Sequence, residues 1–398
     1  MKISSRFHLL FSKSEGRPRI LSLCLALVLL PTLLCAQIRV TPGSSEGGTP
    51  QDPAWTHVPE TMQAYLETVL PPDWPLPQTL EEWTDARLEQ TREILIRQLG
   101  DLPPRPDTPR VRILSIEQHD GYTLERFEFH NGVDMVVPGI LMIPDDLKEP
   151  APTIVGLHGH GSSKESIGGT HTESSQHVGP DLVREGYVVA AIDSYFNGER
   201  IGKGPAGASE DKRQQEWSQF KLYNWLGRTL WGLMLRDEQM LLDYLETRPE
   251  VDAGRIAATG MSMGATRGWW LAAIDERIQA IVSVACFTRY TELIQNGSLR
   301  SHGIYYFVPG ILSHFDTEAI YSLVAPRPML QLSGDQDAGA PTRGIEVLEE
   351  KLAHMYELYG EPENFRSVLY RETGHEYLPE MKQEMLDWFR VHLPVHGR

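Results

Sequence analysis

The chain has 398 residues, of which 41 % are hydrophobic and 23 % charged, and its formal net charge is −17. That composition is ordinary for a globular protein and excludes a disordered chain, a collagen-like fibre or a polytopic membrane protein. The acidity argues against nucleic acid as a partner, because binding phosphates requires basic patches.

Residues 1–19 carry Lys2, Arg6, Lys13, Arg17 and Arg19 against one acid, Glu15, and an uncharged apolar run, ILSLCLALVLLPTLL, follows over 20–34. A basic stretch, a short apolar run and a small residue, Ala36, are the parts of a secretory signal peptide, with cleavage placed after Ala36. The run is shorter than the roughly 20 apolar residues of a membrane span, although an uncleaved anchor is the competing reading. The expectation is export to the periplasm or beyond, with no stable membrane association once residues 1–36 are gone. Cleavage also removes Cys24 and Cys35 and leaves Cys286 alone, so no intrachain disulfide can form. Cys286 lies in the apolar run IVSVACF and reads as an inert buried thiol.

Residues 37–58 are rich in Gly, Ser, Thr and Pro and read as a flexible linker. Residues 59–109 form a helical extension, with helices expected in TMQAYLETVL and TLEEWTDARLEQTREILIRQL. Thr79 and Glu82 have the spacing of a capping box at the start of the second.

From 110 to 398 the pattern is that of one α/β domain. VRILSIEQ, TLERFEFHN and DMVVPGILMIP are β-rich runs separated by turn signals and predict an antiparallel start. Strands TIVGLHG, YVVAAIDSY, RIAATGM, IQAIVSVACF, RPMLQLSGD and FRSVLYRET then alternate with helices near 179–185, 229–248, from 263, 342–358 and 378–393. Continuous apolar strands alternating with helices predict a mostly parallel sheet covered on both faces.

The chemistry centres on Gly260-Met261-Ser262-Met263-Gly264. A predicted strand runs into it and a predicted helix runs out, the setting of a nucleophile elbow. The glycines make room for a strained turn that lifts the Ser262 hydroxyl above the sheet. A serine needs a base to become nucleophilic. His375 follows the last strand and is assigned that role. Asp337, in GDQDAGAP after an earlier strand, is the acid that orients it, with Asp335 in reserve. The backbone N–H groups of His160, in His158-Gly159-His160-Gly161, and of Met263 are assigned to the oxyanion hole. A competing zinc set of His158, His160, His171 and His177 is rejected: no acid follows closely, and a zinc hydrolase would not need the Ser262, Asp337 and His375 set. No metal or other cofactor is expected. Glu199 and Arg200 read as structurally paired, and the polar stretch 197–228 carries Trp217 and Trp225. The long connection 296–320 has the length of a lid or binding wall, and Tyr305 and Tyr306 are its candidate substrate-binding residues, with core packing as the alternative.

Four separated motifs in this order resemble the α/β-hydrolase superfamily. Within it, PGILMIPDDLKEPAPTIVGLHGHG and RPEVDAGRIAATGMSMG resemble the dienelactone hydrolase and acetyl xylan esterase group. The resemblance implies an α/β-hydrolase fold and a Ser262, Asp337, His375 triad. Dienelactone hydrolases carry a cysteine where this chain has Ser262. Acetyl xylan esterases typically have an aromatic residue and a glutamine where His160 and Met263 stand here. The expected function is a secreted serine carboxylic-ester hydrolase acting on short acyl or carbohydrate esters. A peptidase of the prolyl oligopeptidase type and a non-catalytic binding protein are the alternatives. The first would carry a β-propeller of several hundred residues that this chain has no room for, and the complete triad argues against the second.

Overall fold

The apolar runs do assemble into one sheet. In a computed structural model describing residues 58–71 and 74–395, nine strands lie in the order β1-β2-β3-β5-β4-β6-β7-β8-β9. The leader read at 1–36 lies outside the described residues, as does the 37–58 linker apart from its last residue. Strands β1 (Val111–His119), β2 (Tyr122–His130) and β3 (Val136–Pro144) form an antiparallel meander. Strand β3 joins β5 (Val188–Ile192) antiparallel, and from there the sheet is parallel through β4 (Ala151–Leu157), β6 (Val251–Met261), β7 (Ile278–Val284), β8 (Met329–Gly334) and β9 (Phe365–Tyr370). Every residue of β4, β5 and β8 is buried, as expected of strands covered on both sides. Edge strand β1 is largely exposed.

The first helices are α1 (Glu60–Val69) and a run made of α2 (Leu80–Glu82), a π-helical turn (Trp83–Arg87) and α3 (Leu88–Gln98). The Thr79 hydroxyl accepts the Glu82 N–H at 3.2 Å, while the Glu82 carboxylate accepts the N–H of Gln78, not of Thr79, at 2.8 Å. The box therefore closes one residue further back than its spacing suggests. Trp83 is fully buried, and its indole N–H donates to the Tyr359 hydroxyl at 3.0 Å, tying this run to the far end of the chain.

The remaining helices are α4 (Gly179–Arg184), α5 (Lys212–Trp225), α6 (Leu230–Leu245), α7 (Met263–Ile274), the short α8 (Tyr290–Gln295) and α9 (Thr317–Ser322), α10 (Thr342–Tyr359) and α11 (Pro379–His392). They cover the two faces. One core holds Trp83, Trp231, Trp269, Trp270 and Leu348; the other holds Leu182, Met381, Met385 and Phe389. No helix of the described residues is long and apolar enough to cross a membrane.

Helix α5 was not anticipated. Its buried residues are Gln215, Glu216, Gln219 and Tyr223, so the inward face is mostly polar and leaves no apolar period to read. Its start is nonetheless encoded locally: the Asp211 carboxylate accepts the Gln214 N–H, and the Gln214 side chain accepts the Asp211 N–H.

Candidate active site

The parallel register brings the carboxyl ends of β4, β6, β7 and β8 side by side: Leu157 pairs with Gly260, Met261 with Val284, and Val284 with Leu332. Ser262 follows β6 directly. Its backbone has φ 59° and ψ −123°, and its N–H donates to the Val284 carbonyl at 2.9 Å. Positive φ is strained for a residue with a Cβ. Phe196, Ala285 and Glu372, the other non-glycine residues with positive φ among those described, also follow strands β5, β7 and β9. Backbone strain therefore gathers at one end of the sheet, as it does at reactive sites. The flanking glycines are there for space. A Cβ on Gly264 would stand 1.8 Å from the Leu157 carbonyl oxygen, and one on Gly260 would stand 2.5 Å from the same atom.

His375 and Asp337 meet across the turns after β9 and β8. The His375 Nδ1 to Asp337 Oδ2 distance is 2.7 Å. The Asp337 carboxylate is buried, and its other oxygen accepts the Gly339 N–H at 2.8 Å. The hydrogen bond to Asp337 raises the His375 pKa above the ordinary histidine value, against the opposing effect of burial. Burial alone would raise the Asp337 pKa, but the bond and charge of His375 bring it below the usual aspartate value. Asp335 takes a different part: it accepts the Thr373 N–H at 3.3 Å and so braces the turn before His375. Ser262 lies close by through Cys286. The buried thiol is pushed up to about 12 by burial and by the Asp337 charge, and is eased by contacts with the Thr266 and Ser262 hydroxyls. No hydrogen bond joins the Ser262 hydroxyl to His375 among the described residues. Hydrogen bonds of this kind often tighten only when substrate binds.

The loop after β4 carries His158 to Gly161. Met263 is the first residue of α7, so no helical carbonyl can accept its N–H. The His160 N–H has no backbone acceptor among the described residues. Met263 is the neighbour of Ser262 in the chain, and the loop that carries His160 follows Leu157, which pairs with Gly260.

Comparison with known proteins assigns the chain to a family. The family model described as Abhydrolase family matches residues 72–385. The chain belongs to this family. A candidate hydrolase of Bacillus subtilis, YtaP, is 33% identical over 291 residues, covering 72% of this chain and 93% of its own. A candidate acetyl xylan esterase from Bacteroides fragilis superposes with a TM-score of 0.62 at 21% identity, over 85% of this chain and 89% of that one. A glucuronoyl esterase from Solibacter usitatus gives 0.61 at 18% identity, over 82% and 99%. At these identities the two structures establish the α/β-hydrolase fold.

In this abhydrolase the loop after β4 is held from beneath by residues the sequence did not single out. The fully buried Arg267 on α7 donates to the His158 carbonyl at 2.6 Å and pairs with buried Glu238 on α6. Burial pushes the Glu238 carboxyl up to about 7 despite that partner. From α5, the Glu216 carboxylate lies 2.9 Å from His160 Nε2. No periodicity relates positions 160, 216, 238 and 267, so nothing in the sequence announced this bracket.

Three of the four histidines weighed as zinc ligands have separate side-chain partners. His158 Nε2 accepts the Ser194 N–H at 3.0 Å, so the ring's proton is on Nδ1, which faces the Gly159 carbonyl. Burial, then the Arg267 charge, hold His158 neutral, well below its ordinary pKa. His160 faces Glu216, and His177 Nε2 lies 3.3 Å from the Gly169 carbonyl. No group of three His, Cys, Asp or Glu able to hold a metal ion occurs among the described residues. Glu199 and Arg200 are each paired, but not with one another: Glu199 with Lys164 at 2.5 Å and Arg200 with Asp237 at 2.7 Å.

Tyr305 and Tyr306 lie in the core. Tyr305 packs behind His160 with ring centroids 5.2 Å apart, and Tyr306 stacks on His302 at 4.6 Å. They are buried because the 296–320 connection folds back onto Trp231, which both rings touch.

Proposed function

We propose that this abhydrolase is an exported serine carboxylic-ester hydrolase acting on short acyl esters, including those of carbohydrates, through an acyl-enzyme. The observation that carries the reading is the 2.7 Å Asp337–His375 hydrogen bond at the sheet end where the strained Ser262 turn stands. With the Nδ1 proton donated to Asp337, the Nε2 lone pair of His375 is free to take the Ser262 proton. Ser262 Oγ then bonds to the ester carbonyl carbon, and the oxyanion is received by the N–H groups of His160 and Met263. Collapse breaks the ester C–O bond, and His375 returns the proton to the departing alcohol. Water, deprotonated by the same histidine, releases the acid and restores Ser262. The fold neighbours named acetyl xylan esterase and glucuronoyl esterase support a carbohydrate ester, and the basic and apolar stretch over 1–34 supports export.

The test uses residues 37–398 with p-nitrophenyl acetate, butyrate and octanoate, beside Ser262→Ala. Acetate should be hydrolysed fastest, and the substitution should lower kcat by at least about 10³-fold, since the oxyanion hole alone retains some catalysis. Equal rates for the two proteins on all three esters would end the serine esterase reading.

A further inference from the structure

A cavity of about 620 Å³ opens beside the His158–Gly161 loop, within the usual size of small-ligand sites. Its walls come from His160, from Lys212 and Trp217 on α5, and from Arg300, His302 and Phe307 on the 296–320 connection. It borders the reactive sheet end on two sides. His160 belongs to the loop after β4, and His302 Nε2 lies 2.8 Å from the carbonyl of Gly339, two residues past Asp337.

The charges in this cavity do not balance. Its acids are engaged: Glu216 with His160, and Asp211 with the first turn of α5. Arg213 lies over the Trp217 ring at 4.9 Å. Among the described residues, neither the Lys212 ammonium nor the Arg300 guanidinium has an ion-pair or hydrogen-bond partner. The acid whose charge reaches Lys212 is Glu216, already committed to His160. The Lys212 nitrogen stands 3.4 Å from where a Cβ on Gly161 would lie, so this half-buried cation is at the loop itself. In a chain of net charge −17, two cations left without acids in a cavity mark a place where the missing anion comes from a ligand. Phe307 exposes 36% of its surface beside them and offers a flat apolar face, while the Trp217 ring, 43% exposed, is flanked by Arg213 and by Lys221 at 5.8 Å.

We infer that this cavity receives an anion carried on a sugar ring, a carboxylate or a sulfate, so that the ester hydrolysed belongs to an acidic carbohydrate. Lys212 and Arg300 are the specificity-determining cations, and Phe307 is the face on which the ring lies. The ester part of this inference rests on the serine esterase reading; the anion part rests on the cavity.

The test is calorimetry on the Ser262→Ala form of residues 37–398, titrated with oligogalacturonate, with a sulfated galactan oligosaccharide and with neutral xylotriose. At least one acidic sugar should bind about tenfold or more tightly than xylotriose, and which one does so separates carboxylate from sulfate. Adding Lys212→Gln and Arg300→Gln should weaken that binding about 10- to 100-fold, while Lys212→Arg with Arg300→Lys should retain most of it. Equal binding of all three sugars, no binding of either acidic one, or indifference to the glutamine pair would overturn the inference. Because Ser262 is already removed, these results are independent of whether p-nitrophenyl acetate is hydrolysed.

Discussion

At His375 the hydrogen bond to Asp337 sets both the orientation of the ring and the pH at which it can act. A base must be neutral, and this one is held above the ordinary histidine pKa. The kcat/KM of ester hydrolysis should therefore fall on the acid side with a midpoint above about 6.5. Asp337→Asn should lower kcat by about 10³- to 10⁴-fold and shift that midpoint downward, because the anion that raises it is gone. Asp335→Asn, which keeps an acceptor oxygen for the Thr373 N–H and loses the charge that faces Arg371 at 3.7 Å, should lower kcat by less than about tenfold. A pH–rate profile of the three proteins separates these outcomes. The sequence placed Ser262 and His375 at strand ends by pattern alone, because an elbow and a post-strand histidine are local features. It preferred Asp337 and kept Asp335, two residues away in the same turn, in reserve; the folded turn is what turns the Asp337 carboxylate to the ring.

Among elements, the contact between α7 and the loop after β4 holds the backbone of the proposed oxyanion donors. Gly264→Ala puts a methyl group 1.8 Å from the Leu157 carbonyl oxygen, deep in the backbone, where nothing flexible can yield. That substitution should abolish soluble folded protein or activity, as judged by circular dichroism and ester hydrolysis. Glu238→Ala leaves the Arg267 guanidinium buried without its acid and should cost about 3–5 kcal/mol in denaturant unfolding. Replacing the pair together, Glu238→Leu with Arg267→Met, should cost less in stability. It should still lower activity, because the His158 carbonyl loses its donor. Strands β4, β5 and β8 were readable because their burial is apolar and continuous. Helix α5 was not, because it turns Gln215, Glu216 and Gln219 inward, and amide and carboxylate side chains in a core carry no hydrophobic period. Lys212, one of the two cations of the proposed anion cavity, was lost with it.

Across the whole molecule, the run from α2 to α3 and the hydrolase body share one core. Trp83 is buried against the body and bonded to Tyr359 of α10, so Trp83→Ala should lower the unfolding free energy by about 3–5 kcal/mol, measured by chemical denaturation. The run from α2 to α3 is thereby expected to unfold together with the sheet, in a single transition. Such coupling was visible in the sequence only as two amphipathic patterns beside an α/β pattern; the docking itself depends on one indole finding one phenol 276 positions away.

Cys286 has a use unrelated to its chemistry in the fold. It is the one cysteine of the described residues, it is buried under the nucleophile turn, and its thiol is pushed up to about 12. A thiolate is scarce there and a reagent has no path to it. In a chain of residues 37–398 the rate of alkylation therefore acts as a clock for the opening of the sheet end beneath Ser262, and a ligand that closes that end should slow the clock in proportion to its occupancy.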